Sequence, residues 1–421
     1  MERPASTARP SHQRAEPRDF RLLWWANAAD GVGSQASGTV LPLLLLGLGN
    51  SPQTVGLIAG ASTALGLLLG PLVALPADRG ARKRVMVGSA AVSALAMGCV
   101  ALALAAGHPP LGLILTAVLV ERLATACFEA AARGTVALVS PGPEQPRAIA
   151  RLAAADQGAL ITGPALGGLL YQAARALPFL ADALSYLVSA LCVSAMRADL
   201  RAAAAPRQRG AGLLREGAAG LRLVRSAPLL RLVLVWGATV NAVVVALYYG
   251  AVFTLRRDGH AGAVLGAVLA LSGAAGLVGA LAAPRVAGRF GAPRVVPGVT
   301  WLLVPLAAAL AVVTSAWAYG LLFGLVCLLM PLASVVLQAR AVQATAPALQ
   351  ARTGAVLATA TTGAAALAPV LAGALADRVS AAAPAAVCGV LLALLAAHSS
   401  RRPVRGVLAP EAAGRAAEVT G

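Results

Sequence analysis

Long apolar runs bounded by charges, glycines or prolines recur along the entire chain. A bilayer core about 30 Å thick takes about 20 apolar residues to cross as a helix. Twelve runs approach or exceed that length: residues 21–47, 55–77, 85–106, 111–135, 148–171 and 178–196, then 229–254, 262–284, 295–315, 318–338, 354–376 and 381–398. All are rich in alanine and leucine and much longer than the roughly 10-residue alternating strands of a membrane barrel. The pattern therefore predicts an all-α, polytopic membrane protein with twelve transmembrane helices.

The second set of six repeats the first. Advancing the sequence by 210 residues places Gly56 on Gly266, Ser62 on Ser272, Gly66 on Gly276, Arg79 on Arg289, Arg84 on Arg294 and Gly88 on Gly298 without a gap. Later, Gly163-Pro164-Ala165-Leu166-Gly167-Gly168 in the fifth run is echoed by Ala368-Pro369-Val370-Leu371-Ala372-Gly373 in the eleventh. Parallel duplication of this kind implies two pseudo-symmetric six-helix bundles. The expected division is an N-terminal tail (1–19), a first bundle (20–196), a linker (197–227), a second bundle (228–398) and a C-terminal tail (399–421). Within the linker, Leu213, Leu214, Leu221 and Val224 alternate with Arg215, Arg222 and Arg225 as in an interfacial amphipathic helix.

Composition agrees: 59% of residues are hydrophobic and 12% charged, against about 25% charged in soluble proteins. The net charge of +18 does not form a nucleic-acid-binding domain, because the cations sit in short clusters between runs. With both termini inside, only Arg175, Arg256, Arg257 and Arg378 fall on the outer side and only Arg122 within a span. The positive-inside rule then sets both termini in the cytoplasm and the chain in the plasma membrane. Arg82, Lys83 and Arg84 are explained by this topology and by anionic lipid headgroups at the cytoplasmic face.

The loop Leu75-Pro76-Ala77-Asp78-Arg79-Gly80-Ala81-Arg82-Lys83-Arg84 resembles the signature loop of the major facilitator superfamily, with Ala74 and Ala81 where that family usually has glycine. The N-terminal FRLLWWAN, the GPALGG of the fifth run, the linker GLLREGAAGLRLVRSAPLLR and the closing LAGALADR extend the likeness across nearly the whole chain. Together they are similar to the drug- and macrolide-exporter branch, which also includes siderophore exporters. The resemblance implies a central cavity between two rocking bundles, and a latch in which Asp78 and Arg79 hold the outward-open state with Arg133 as a partner. It also implies a role for Arg122, which stands where the superfamily often has a membrane-embedded arginine.

Ionisable groups inside a span are expensive and call for a partner, a wet cavity or a function. Asn27, Asp30, Gly31, Ser34 and Gly38 form one polar, small-residue face of the first span, making Asp30 the first candidate for a proton or substrate-cation site. The competing reading of Asp30 is a residue held by helix dipoles and water. In the fourth span Glu121 and Glu129 are candidate proton-coupling carboxylates beside Arg122, while Glu129 and Arg133, four apart, could equally form a static ion pair. Asp156 shares a face with Gly163 and Gly167 and either serves coupling or pairs with an arginine near the inner mouth. Trp236, Asn241, Tyr248 and Tyr249 could line the cavity opposite the first span and suit a lipophilic substrate, a lipophilic cation included; the tyrosines could instead be interface anchors. The Gly56/Gly60 and Gly66/Gly70 pairs read as close helix packing.

The single lysine follows Arg82, so no phosphate loop ending in Gly-Lys exists, and neither a zinc-protease helix nor a nucleophile elbow is present. The cysteines lie inside apolar runs and the histidines are scattered, so no metal or cofactor is implied. The expectation is a monomeric, non-enzymatic secondary transporter that uses the proton gradient to export a lipophilic small molecule. A nutrient carrier and a non-transporting membrane sensor remain the alternatives.

Overall fold

The computed structural model describes residues 17–73, 81–107, 109–140, 142–200, 221–257, 259 and 262–408. Among the described residues the chain forms, besides a one-turn 3-10 helix (Gly142–Glu144) and a helical segment at 221–226, the helices α1 (Pro17–Gly47), α2 (Pro52–Val73), α3 (Arg82–Ala105), α4 (Leu111–Val139), α5 (Gln145–Ala173), α6 (Leu177–Ser194), α7 (Pro228–Arg257), α8 (Gly262–Phe290), α9 (Ala292–Val312), α10 (Ala316–Gln343), α11 (Pro347–Arg378), α12 (Ala383–Ser400) and the short α13 (Arg402–Val407). Each of the twelve expected runs falls on one long helix; the sixth and ninth end two or three residues before the expected C-terminal bound, and residues 74–77 of the second run lie outside the described residues. No strand occurs among the described residues. α8 and α9 are separated by Gly291 alone, which turns the chain at φ +73°, a conformation open to glycine at no steric cost.

Ten of the twelve long helices are apolar enough to cross a membrane by length and composition alone. The other two are α1 and α5, at 31 and 29 residues amply long, whose apolar character is interrupted by Asn27, Asp30, Ser34 and Gln35 in α1 and by Arg147, Arg151 and Asp156 in α5. Asn27, Asp30, Ser34 and Gln35 of α1 and Asp156 of α5 line one chamber, so the two helices that fall short on hydropathy both contribute walls to the site.

In the first bundle α1 packs on α5 and α6, α3 on α4 and α6, and α2 on α4; in the second, α7 packs on α10, α11 and α12, and α9 on α10 and α12. Between bundles the extensive contacts are two, α2 on α11 and α5 on α8, which the duplication makes equivalent. Glycine sets both. A Cβ on Gly56 would strike the carbonyl of Pro369, and one on Gly266 would strike the carbonyl of Pro164; Gly373 and Gly168 complete the two crossings in matching positions. The sequence echoes thus meet in space, allowing backbones to approach as small residues do in membrane helix pairs. Gly60 also packs on α11, against Ala366 and Val370, but a Cβ on Gly66 would meet nothing within 4 Å, so the packing expected of Gly66 is absent.

These contacts fall in the N-terminal halves of α2 and α8 and the C-terminal halves of α5 and α11. In an antiparallel array all four lie at one end, opposite the arginine-rich loops. There Arg378 Nε donates to Gln53 Oε1 at 3.3 Å across the bundles. The bundles are therefore sealed at the arginine-poor end.

The arginine-rich end is tied within the first bundle. Asp19, 2% exposed in the first turn of α1, accepts hydrogen bonds from the backbone N–H groups of Arg197 and Ala198, the latter at 2.6 Å. Arg82 Nη1 donates to the Gly134 carbonyl at 3.1 Å and Lys83 Nζ to that of Met196 at 2.8 Å. Two of the three cations read as topological and lipid-facing are therefore bonded to carbonyls of the protein, near the C-terminal ends of α4 and α6 where the helix dipole favours them. Of the expected linker helix only 221–226 is described, helical with Val224 buried; Leu213, Leu214 and Arg215 lie outside the described residues, as do the signature-loop residues Asp78 and Arg79.

Candidate functional site

A chamber of about 690 Å³ lies between α1, α4 and α5 on the arginine-rich side of the first bundle. The 3.6-residue repeat brings Asn27, Asp30 and Ser34 to its α1 wall, and Glu121, Arg122, Glu129 and Arg133 to its α4 wall. Asp156 closes it from α5. Eight of the residues singled out from sequence are thus gathered around one space.

Asp30 is 9% exposed and has neither a hydrogen-bond donor nor an ion-pair partner among the described residues. Its charged surroundings are carboxyl groups: Asp182, Glu121, Glu129 and Asp156 all lie within electrostatic reach. Glu121, also buried, is held firmly. Its Oε1 accepts from Tyr186 Oη at 2.6 Å and from Thr125 Oγ1 at 3.0 Å, while Oε2 stands 3.9 Å from Arg122 Nε. Tyr186 Oη also lies 2.9 Å from Ser34 Oγ, so α1, α4 and α6 are joined through one phenol. Arg122 pairs with its sequence neighbour Glu121 and leaves its guanidinium half exposed to the chamber. Glu129 and Arg133 form the i,i+4 pair at 3.3 Å, both exposed, so in this state Arg133 engages Glu129. Asp156 is exposed on the chamber wall with no arginine paired to it among the described residues; Gly163 and Gly167 instead receive α1 at Gln35 and Ala36.

Behind Ser34 lies a group that the sequence reading passed over. Asp182 of α6 is fully buried; its Oδ2 accepts from Ser37 Oγ at 2.5 Å, and its Oδ1 has no hydrogen-bond partner among the described residues. Gly33 admits it, since a Cβ there would overlap Ser185 and crowd Asp182. Asp182 and Tyr186 are one helical turn apart in an otherwise apolar run, and the test that selected Asp30, an acid within a span, selects Asp182 as well.

The aromatic and amide candidates of α7 stand elsewhere. Trp236 is 2% exposed and donates from Nε1 to Thr300 Oγ1 at 2.9 Å, which fixes it within the second bundle. Asn241 Nδ2 donates to the Thr361 carbonyl at 3.1 Å and ties α7 to α11. Tyr248 and Tyr249 meet edge to face at 5.0 Å, a favourable aromatic geometry, and Tyr249 is within electrostatic reach of Arg122 across the bundles. Of the four, only Tyr249 is related to the charged chamber.

A second chamber, about 410 Å³, lies between α7, α10 and α11. These helices are the repeat equivalents of α1, α4 and α5. Trp236, Leu337 and Leu357 form apolar walls, and Gln338, Gln350, Thr353 and Thr361 supply polar atoms; no ionisable residue lines it. The described residues contain no cluster of side chains arranged to hold a metal ion.

Comparison with known proteins extends this picture. The sequence profile of the Major Facilitator Superfamily matches residues 23–368. No curated protein matches the sequence. Among solved structures, the chain is similar to a variant of the nucleoside transporter NupG, with a TM-score of 0.74 at 12% identity over 90% of this chain and 98% of that one. It is also similar to a bacterial homolog of the human lysosomal transporter Spinster, inward-facing and unoccupied, with a TM-score of 0.70 at 15% identity over 93% and 98%. A third is a bacterial homologue of the iron transporter ferroportin, inward-facing, at 0.66 and 14% over 90% and 98%. At such identities the likeness is one of fold.

Proposed function

The chain belongs to the Major Facilitator Superfamily, and from that premise we propose that it exports a lipophilic small molecule by proton antiport, by alternating access between the bundles of residues 20–196 and 228–398. It is a multi-pass membrane transporter, and a small-molecule substrate follows from that class. The branch, the direction of transport, the coupled ion and the plasma-membrane location with cytoplasmic termini are our reading. The arginine-rich loops support the orientation. On that orientation the present state is sealed outside and open inside.

The observation that carries the coupling proposal is Asp30: a buried carboxyl without a cationic partner, on the wall of a chamber that one state wets and the other closes. Ionising such a group inside a membrane costs about 2.5 to 3.5 kcal/mol on insertion scales, so water access decides whether the proton stays. Rocking that opens the chamber to one side and then the other loads and releases a proton on opposite faces. Glu121, fixed by Tyr186 and Thr125, and Glu129, paired with Arg133, have partners and serve to position Arg122. Asp182 is a second candidate for a proton, held one layer deeper by Ser37. Asp78 and Arg79 keep their proposed latch role, with Arg133 released from Glu129 when the inner side closes.

The test is reconstitution of the full chain in proteoliposomes, with substrates drawn from a susceptibility screen of a null host against antibiotics and siderophores. Asp30→Asn is expected to abolish pH-gradient-driven transport while leaving the folded protein in the membrane. Unchanged transport by that variant removes Asp30 from the mechanism. Accumulation in the opposite sense establishes uptake, and no movement under any gradient favours a sensor.

A further inference from the structure

The two chambers occupy equivalent places in the two repeats but differ in chemistry. The first carries Asp30, Glu121, Arg122, Glu129, Arg133 and Asp156; the second carries no charge at all. We propose that the second chamber is the substrate-binding chamber, and that its ligand is an uncharged amphipathic molecule with a hydrogen-bonding group set in an apolar skeleton. The inference rests on the transporter reading and narrows its substrate class from lipophilic to neutral.

Three observations carry it. The amide of Gln338 is exposed on the chamber wall. A side-chain amide offers two donors and an acceptor, and one facing a space between apolar walls can bond a ligand atom. The neighbouring polar groups are already committed to the fold. Thr361 Oγ1 donates to the Ala358 carbonyl, and Gln350 Nε2 donates to the carbonyls of Val342 and Thr345, closing the chamber floor between α10 and α11. The exposed amide of Gln338 is left to address a ligand, while Trp236, Leu337 and Leu357 offer it apolar surface.

The third observation is electrostatic. The basic residues nearest in sequence on the same helices, Arg340 and Arg352, disfavour a cation, and with no charged group lining the chamber an anion would be desolvated without a direct partner. A neutral ligand incurs neither cost. The volume of about 410 Å³ is within the ordinary range for small-molecule sites. Such a division leaves ion chemistry to one bundle and ligand recognition to the other, so that closing the shared interface couples them.

The test uses the full chain in lipid nanodiscs and in proteoliposomes, with two fluorescent probes: Nile red, neutral and amphipathic, and ethidium, a permanent cation. Saturable Nile red binding above that of empty nanodiscs is expected, without saturable ethidium binding. Gln338→Leu, which removes the exposed amide at similar size, should weaken Nile red binding about five- to tenfold with the fold retained. Gly354→Leu should fill the chamber and weaken it more than about tenfold; a Cβ at Gly354 meets nothing within 4 Å, and leucine is the better helix former. Gly158→Leu, at an equally open position of α5, is the control and should bind as the parent does. Absence of saturable Nile red binding, saturable ethidium binding, or normal Nile red binding by Gly354→Leu overturns the proposal. Specific binding without gradient-driven movement supports the chamber and overturns the antiport reading; gradient-driven movement of ethidium alone does the reverse.

Discussion

Adding a methyl-bearing side chain at Gly56 should unseal the arginine-poor end of the transporter. A Cβ there overlaps the Pro369 carbonyl, and Gly373 Cα lies 3.3 Å from it, so α2 and α11 cannot keep their crossing and must separate by the better part of an ångström. Overpacking of a close-packed contact costs typically 1 to 3 kcal/mol. The cost is confined to the state in which this end is shut, because the bundles part there when it opens. Taking about 2 kcal/mol for Gly56→Val, the ratio of shut to open molecules falls roughly 30-fold. The assay is cross-linking of Gln53→Cys to Arg378→Cys with a short bis-maleimide, in a background lacking the native cysteines; the native pair is within hydrogen-bond reach at this end. Gly56→Val should cut the initial rate sharply, and Gly266→Val, at the equivalent crossing of α5 and α8, should do the same. Gly66→Val, on the same helix but with open space at its Cβ, should leave the rate untouched. Equal rates in Gly56→Val and its parent, or equal losses in Gly56→Val and Gly66→Val, would refute the reasoning.

Asp19→Ala removes a buried carboxylate that accepts from two backbone N–H groups and leaves those part-buried donors without it. It should cost about 3 kcal/mol, read as a lowered thermal midpoint in detergent, with Asp19→Asn intermediate. Arg82→Gln and Lys83→Gln each release one carbonyl and should cost about 1 to 2 kcal/mol in the same measurement; a loss seen only in anionic lipid would return these cations to a headgroup role. Tyr186→Phe removes the phenol that joins Ser34 to Glu121, and should lower gradient-driven transport with little change in substrate affinity; an intact rate would show that Glu121 needs no such tether. Asp182→Asn keeps the acceptor for Ser37 and should retain the fold. If Asp182 carries a proton in the cycle, the substrate moved per unit pH gradient falls, whereas an unchanged ratio assigns Asp182 to structure alone.

The helices were legible because the length of an apolar run is imposed by the bilayer and needs no knowledge of neighbours. The repeat was legible for a related reason. Gly56 and Gly266 persist where no side chain fits, and Pro164 and Pro369 supply the carbonyls they meet, so the constraint is written at both partners of each crossing. The charged chamber could be read from rarity: Asp30, Glu121 and Arg122 stand out in spans that tolerate few ions. What sequence could not give was which ion meets which. That Glu121 receives the Tyr186 phenol depends on how α4 and α6 are rotated about α1, a property of packing and absent from either segment alone. Trp236 shows the same limit, since an aromatic side chain in a span is equally at home in a cavity wall and against Thr300, and only the approach of α9 decides.

The second chamber was invisible for a different reason, and that reason bears on mechanism. The repeat places two equivalent spaces in the fold, and one of them carries acids whose cost makes them conspicuous. On the proposed reading, recognition of a neutral ligand leaves no such mark: Gln338, Leu337 and Leu357 are unremarkable in any membrane helix, and become a site only where helix packing opens a chamber between them. An alternating-access device needs its two functions linked through a movable interface, and the paired glycine crossings provide one with the same geometry on both sides. If the proposed division holds, a symmetric hinge between chemically unequal chambers would let protonation in one bundle bias the closure that the other bundle experiences, without any contact between proton and ligand.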